Sequence, residues 1–486
     1  MHVAGLNLLD ISRGLCYTVV TLMKGVNTVT LDELLMNVKA VSFEDVVCQT
    51  AIQTEEDKQV YQDKGYNIQL TQSEFEEKFN GIDPTCIYYT PSVSMNCIYF
   101  NNATLAATPF HVDFFLAGVG RSTVEGAKRA IAQVEAEVAE HKYIGSVLAL
   151  ADGMRLEYFQ KLIEVKGTDI PNLYELFFDF YIQSDYGFNN IDPTTLQAIL
   201  NSKTPAEKAK TTKALKDLPD TITIYRGGNT NSTPYTNAYS WTLDINIANF
   251  FAVRRGKGPG CIVTAEVDKK DIIEVLFEAR NEKEVIVDPK NIRVIKETII
   301  PGLDLLEEVL PVVAPMYHKY KDMMEDLDFA QRSSIHGKAH EARVLLLCLI
   351  LSHLLDLPTS DRKVLATAAI YHDTQRTHDW VEPEHGKASK EYYHDNVSSP
   401  DPLVELLVEY HCLPDEDAYQ HIRNNRVLSK NRSRATKLFN IFKDADGLER
   451  IRLDGSLREL DLNQLRTEEA KTLSLVARIC LEQVKI

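Results

Sequence analysis

Residues 239–289 read YSWTLDINIANFFAVRRGKGPGCIVTAEVDKKDIIEVLFEARNEKEVIVDP, and the way this stretch folds decides the middle of the chain. Segments 261–267 and 284–287 are short and rich in β-branched residues, the composition of strands. So are 221–225 upstream and 292–295 downstream. Apolar spacing at 245–252 and 270–276 predicts helical turns between them. Farther toward the N-terminus, Ser122 and Glu125 are spaced as a capping box, and the Ala- and Glu-rich run to His141 favours helix. Helical segments continue to about residue 218, with breaks at 190–193 and 202–205. Residues 1–115 mix short apolar runs with polar loops, including alternating segments at 86–89 and 97–100. After Pro301 the periodicity is helical throughout. The predicted fold class is therefore multidomain α+β. It divides into a mixed region at 1–115, strands with preceding helices at 116–305, and an all-α region at 306–486.

A chain of 486 residues exceeds what one hydrophobic core usually serves, which also favours several domains. The formal net charge of -17 disfavours a surface that neutralises nucleic-acid phosphates. Eight scattered cysteines form no CxxC pair, so reduced, mostly buried thiols are expected. Asp10 and Arg13 interrupt the apolar N-terminus, and no apolar run is long enough to span a bilayer. The expectation is a cytoplasmic protein without a membrane partner, or one secreted by a signal-independent route into a host or competitor cell.

Four features follow one another through the middle region. They are Tyr225-Arg226-Gly227-Gly228 at a strand end, Ser240-Trp241-Thr242 before a helix, Phe250-Phe251-Ala252 within it, and Glu282-Lys283-Glu284 entering another strand. Side chains alternate along a strand, so Glu282 and Glu284 are expected on one face. In this order the features resemble the arginine–serine–glutamate class of ADP-ribosyltransferases over residues 221–294. The resemblance implies a split β-sandwich core and NAD as co-substrate. It assigns Arg226, with Gly227 beside it, to the NAD diphosphate, for which a guanidinium fork is suited. Ser240 and Thr242 hold the strand edge and the glutamate, Phe250 or Phe251 walls the nicotinamide, and Glu284 serves the ribose. A carboxylate there stabilises the oxocarbenium character that develops as nicotinamide leaves. Glu282 favours transfer to a protein arginine; water as acceptor would make the chain an NAD glycohydrolase.

A second constellation lies beyond residue 325. His340 sits on the apolar stripe formed by Val344, Leu347 and Leu351, and His372-Asp373 ends another apolar helix. These residues and an aspartate of FKDADGLER could make an N/O site for a divalent metal ion. Asp446 shares a helix face with Phe439 and Phe442, whereas Asp444 is turned away, so Asp446 is the expected ligand. Residues 325–455 resemble the HD-domain phosphohydrolases, with HGKAHEARV and AIYHDTQR as the first two motifs. The resemblance adds His385 and His411 as the extra histidines of two-metal members, and a nucleotide or other phosphoester as substrate. HDTQR departs from the small residues common after that motif. Three readings follow: a transferase coupled to a phosphohydrolase, as in a toxin, effector or conflict-system protein; a transferase with a non-catalytic helical region that binds a target or senses a nucleotide; and an interaction scaffold.

Overall fold

The computed structural model describes three short strands between residues 87 and 110, a few residues of 132–143, and, with short gaps, residues 155–483. The capping box at Ser122 and Glu125 lies outside the described residues. The chain falls into two compact units divided between Ser202 and Lys203.

In the first unit, strands β1 (Ile87–Tyr89), β2 (Cys97–Asn101) and β3 (Ala106–Phe110) form an antiparallel sheet in sequence order. Helices α1 (Arg155–Lys166), α2 (Leu173–Ile182) and α3 (Pro193–Asn201) follow. The expected break before α3 is a helix start, where the Asp192 carboxylate accepts from the backbone N–H groups of Thr194 and Thr195. Phe159, Phe177 and Phe180 are fully buried between α1 and α2.

The second unit opens with α4 (Pro205–Ala214), which begins at a capping box of Thr204 and Glu207. Strands β4 (Thr221–Asn229), β5 (Ser240–Thr242), β6 (Gly260–Asp268), β7 (Ile272–Leu276), β8 (Glu284–Val287) and β9 (Arg293–Ile300) then form one antiparallel sheet in the order β7-β8-β5-β4-β6-β9. Residues 272–276, expected to be helical, are a strand. Their Ile and Val side chains are β-branched, and pairing with β8 outweighs an ambiguous period. β4 also runs past Arg226 to Asn229, because its whole length pairs with β6. In place of two separate sheets, the two halves of this sheet are joined through one residue pair, Tyr225 with Thr242.

Helix α5 (Ile245–Val253) starts at Asp244, whose side chain accepts from Asn246 N–H, and lies against β4 and β6. The approach is close enough that a Cβ on Gly227 would fall 1.6 Å from the Ala248 carbonyl oxygen. Gly227 is thus required by helix packing, whatever it does for a ligand. Gly227→Ala is expected to destabilise the unit by about 3 kcal/mol or more, measured by denaturant unfolding, since backbone rather than a flexible side chain must give way.

From Leu303 onward the described residues are helical: α6 (Leu303–Glu325), α7 (Lys338–Leu354), α8 (Thr359–Tyr371), α9 (His385–Asn396), α10 (Pro402–Tyr410), α11 (Asp415–Asn424), α12 (Arg432–Glu449), α13 (Glu468–Lys471) and α14 (Ser474–Gln483). Every residue of α7 from His340 to Ser352 is buried, as its unbroken apolar run requires of a central helix. The core around α7 is continuous with Ala248, Ala252 and Val253 of α5 and Ile262 of β6. Asn246 bonds to Asp461 and to Leu462 N–H, each at 2.8 Å, and Ser474 Oγ lies 2.6 Å from Asn249 Oδ1. The step from strands to helices near residue 300 is therefore a change of secondary structure inside one compact unit. The other face of the sheet carries a smaller core of Ile222, Ile224, Trp241, Val263, Val285 and Val287. No helix among the described residues is long and apolar enough to cross a membrane.

Candidate functional site

The narrow join between the sheet halves brings the middle constellation together. Arg226 donates to the Ser240 carbonyl oxygen at 2.7 Å and to that of Thr233 at 3.4 Å. The Ser240 hydroxyl donates to Glu284 Oε1 at 2.5 Å, and Glu284 is buried at the start of β8. Register explains the contact: Thr242 pairs with Glu284 and Ser240 with Ile286, so Ser240 and Glu284 are diagonal neighbours. The Thr242 hydroxyl donates to the backbone carbonyl of Glu282 at 2.7 Å and accepts from Asp244 N–H at 3.0 Å. Phe250 and Phe251 meet edge-on along α5, with the Arg254 guanidinium 4.4 Å above the Phe251 ring.

Glu282 departs from expectation. It precedes β8, and Lys283 has a left-handed backbone (φ 47°), so strand alternation does not extend back to place Glu282 on the face of Glu284. A pocket of about 330 Å³ opens beside Arg226, lined by Thr233, Tyr235, Cys261 and Glu297 among others. Ser240, Thr242 and Glu284 are not in its wall, so the pocket and the Ser240–Glu284 pair are different surroundings of Arg226.

The helical constellation converges more tightly. His340 lies in the first turn of α7, His372 caps α8, His385 opens α9, His411 caps α10 and Asp446 lies in the last turn of α12. His340 Nε2 stands 3.1 Å from His372 Nε2, 3.5 Å from Asp446 Oδ1 and 3.6 Å from Asp373 Oδ2. The other Asp373 oxygen lies 2.9 Å from His385 Nε2 and 3.2 Å from His411 Nε2, and those two nitrogens are 2.9 Å apart. Asp373 thus faces two half-centres, one with each carboxylate oxygen. Asp444 is engaged elsewhere: it accepts from the N–H groups of Arg466 and Thr467 and from the Thr467 hydroxyl.

The tautomers follow from the partners. Nδ1 of His372 lies 3.0 Å from Ala369 O, that of His411 lies 2.8 Å from Val408 O, and that of His385 contacts Glu382 O. A carbonyl only accepts, so each Nδ1 carries a proton. His340 Nδ1 donates in the same way to Glu449 Oε2 at 2.7 Å. In the neutral rings all four Nε2 atoms therefore bear lone pairs, and they meet in two close pairs. Such pairs repel unless a proton or a metal cation lies between them. Two nitrogens bound about 2.1 Å from one ion stand about 3.0 Å apart at right angles and about 3.4 Å apart at a tetrahedral angle, so at 3.1 and 2.9 Å each pair is close enough to be bridged by one ion, with a small opening for a tetrahedral one.

Burial pushes His372 down to about 3, so its ring is neutral. Burial alone would raise Asp373, but the adjoining His372 ring and hydrogen bonds from His336, His385 and His411 together hold it well below the usual carboxylate range. Asp446 is held low in the same way by His340 and His372. Burial opposes a charge on His385, yet Asp373 draws it up to about 10; a divalent ion would take the place of that proton.

Several residues of the centre were not singled out from the sequence. Glu449 orients His340 and is itself held by Arg343 and Arg452, each at 2.6 Å. His336 Nδ1 lies 3.1 Å from Asp373 Oδ2. Glu341, fully buried, accepts from Asp373 N–H, and burial raises its carboxyl well above the usual range. Glu449 lies three residues after Asp446 on α12, so helical spacing was the available signal for it, whereas His336 lies in the turn before α7, where no periodicity points to it. Glu449→Gln is expected to weaken metal retention about 10–100-fold, measured by chelator competition, because it loosens the hold on the His340 ring.

Comparison with known proteins finds no family model, no curated protein and no solved structure that matches this chain.

Proposed function

We propose that this chain is a metal-dependent phosphohydrolase that also carries an NAD-using transferase site in the same compact unit. The observation that carries the first part is the convergence of the Nε2 atoms of His340, His372, His385 and His411 on the carboxylates of Asp373 and Asp446. His340, His372, Asp373 and Asp446 would hold one divalent ion, and Asp373, His385 and His411 a second. Ions bound there supply Lewis acidity toward a phosphoryl oxygen and lower the pKa of water, which is what phosphoester hydrolysis requires. Arg376 suits the substrate. Its guanidinium is fixed by the carbonyls of His378 and Trp380, and lies 3.9 Å from Asp373 Oδ1 and 3.5 Å from His385 Nε2. A guanidinium at that rim would orient a phosphate, of a nucleotide or of another phosphoester.

The test is phosphate release from a panel of nucleotides and simple phosphoesters after chelator treatment and after return of manganese, zinc or magnesium. Release that stops with chelator and returns with metal is expected. A chain that holds metal yet hydrolyses none of the panel would overturn this part, in favour of a binding or nucleotide-sensing module.

The second part rests on the hydrogen-bond chain from Arg226 through Ser240 to Glu284. There Arg226 would bind the NAD diphosphate, and Glu284, oriented by Ser240, would stabilise the ribosyl cation as nicotinamide departs. A protein arginine is the favoured acceptor; with water the same site is an NAD glycohydrolase. Labelled NAD with a lysate separates the two, since transfer leaves label on protein and hydrolysis leaves free ADP-ribose.

A further inference from the structure

Cys412 follows His411 at the end of α10, and its sulfur shares a cluster with His385 and His411 in which the ligand atoms all lie within 4.8 Å of one another. The backbone is arranged for this approach. A Cβ on Gly386 would meet Cys412 Sγ at 3.0 Å and the Glu409 carbonyl oxygen at 2.6 Å, so glycine after His385 lets the start of α9 lie against the end of α10. The thiol points toward the turn that carries His385, donating to Pro383 O at 3.3 Å. Beside it stand the His385 and His411 Nε2 atoms, 2.9 Å apart, both within 3.2 Å of Asp373 Oδ1.

We propose that Cys412 is a thiolate ligand of the ion held by His385, His411 and Asp373, so that this half of the centre takes zinc in preference to magnesium or manganese. The proposal rests on the metal-centre reading given above. One sulfur, two nitrogens and one carboxylate oxygen complete the four donors usual for a closed zinc site, whereas magnesium and manganese favour oxygen. On binding, the S–H bond breaks, its proton leaves to solvent, and a sulfur–metal bond replaces the contact with Pro383. The other half has nitrogen and oxygen donors only, and Asp446, with 27% of its side chain exposed, is its open edge.

The test uses the full chain, stripped with chelator and loaded with cobalt(II) alone. A near-ultraviolet thiolate-to-cobalt charge-transfer band is expected, and Cys412→Ser should lose it while keeping cobalt in the other half. Cobalt binding without the band, or a band that survives in Cys412→Ser, overturns the thiolate assignment and leaves the metal centre standing. No cobalt binding at all overturns the metal centre itself. Wild-type protein gives a second readout: zinc should slow alkylation of Cys412, followed by peptide mass spectrometry, and an unchanged rate would contradict the proposal.

Discussion

Asp373→Asn is expected to empty both halves of the metal centre and to lower phosphoester hydrolysis by at least about a thousandfold. Asp373 is the one candidate ligand whose two oxygens face different half-centres, with His340 on one side and His385 and His411 on the other. Asparagine keeps the shape but replaces one acceptor oxygen with a donor and removes the negative charge that divalent ions require. The Lewis-acid contribution forfeited is several kcal/mol, and each 1.4 kcal/mol is tenfold in rate. Metal content and phosphate release, measured on folded protein verified by circular dichroism, check both halves of the expectation. Retention of metal in either half would show that Asp373 does not bridge them.

Glu284→Gln is expected to cut transfer of ADP-ribose from NAD by about 100–1000-fold, with little change in stability. The amide can still accept from the Ser240 hydroxyl, so the pairing of β5 with β8 is kept. What is lost is the carboxylate charge that opposes the growing ribosyl cation, a contribution of about 3–4 kcal/mol when removed from a preorganised site. Label transfer from NAD measures it, and labelling that persists in the variant would sink the transferase reading. The same variant should leave metal-dependent phosphate release unchanged, since Glu284 has no part in the imidazole cluster.

The helical centre was legible because its ligands fall on helices whose apolar faces also record which way each helix turns. The face shared by Asp446, Phe439 and Phe442 separated it from Asp444, and the two side chains do part company, Asp446 toward His340 and Asp444 toward Thr467. Helix spacing is regular enough to carry that distinction over two residues. Strand alternation carried less. One left-handed residue, Lys283, interrupts it between Glu282 and Glu284, and no local composition announced that backbone. Ile272 to Leu276 likewise became a strand because β8 was there to pair with it, a tertiary fact absent from the segment itself. The union of sheet and helices was hidden for a similar reason. It depends on Asn246 and Asn249 meeting Asp461, Leu462 and Ser474 more than two hundred residues later. Cys412 read as an ordinary scattered thiol until packing set it beside His385.

Four buried imidazoles and two ionised aspartates gathered at one point are what a resident divalent metal centre requires. Elemental analysis of the purified full chain, before and after loading with divalent metal, counts the ions it holds. One ion in each half-centre of the wild-type chain and none in Asp373→Asn is the expected result. A wild-type chain that holds no ion under either condition, its paired imidazoles sharing protons instead, would contradict it.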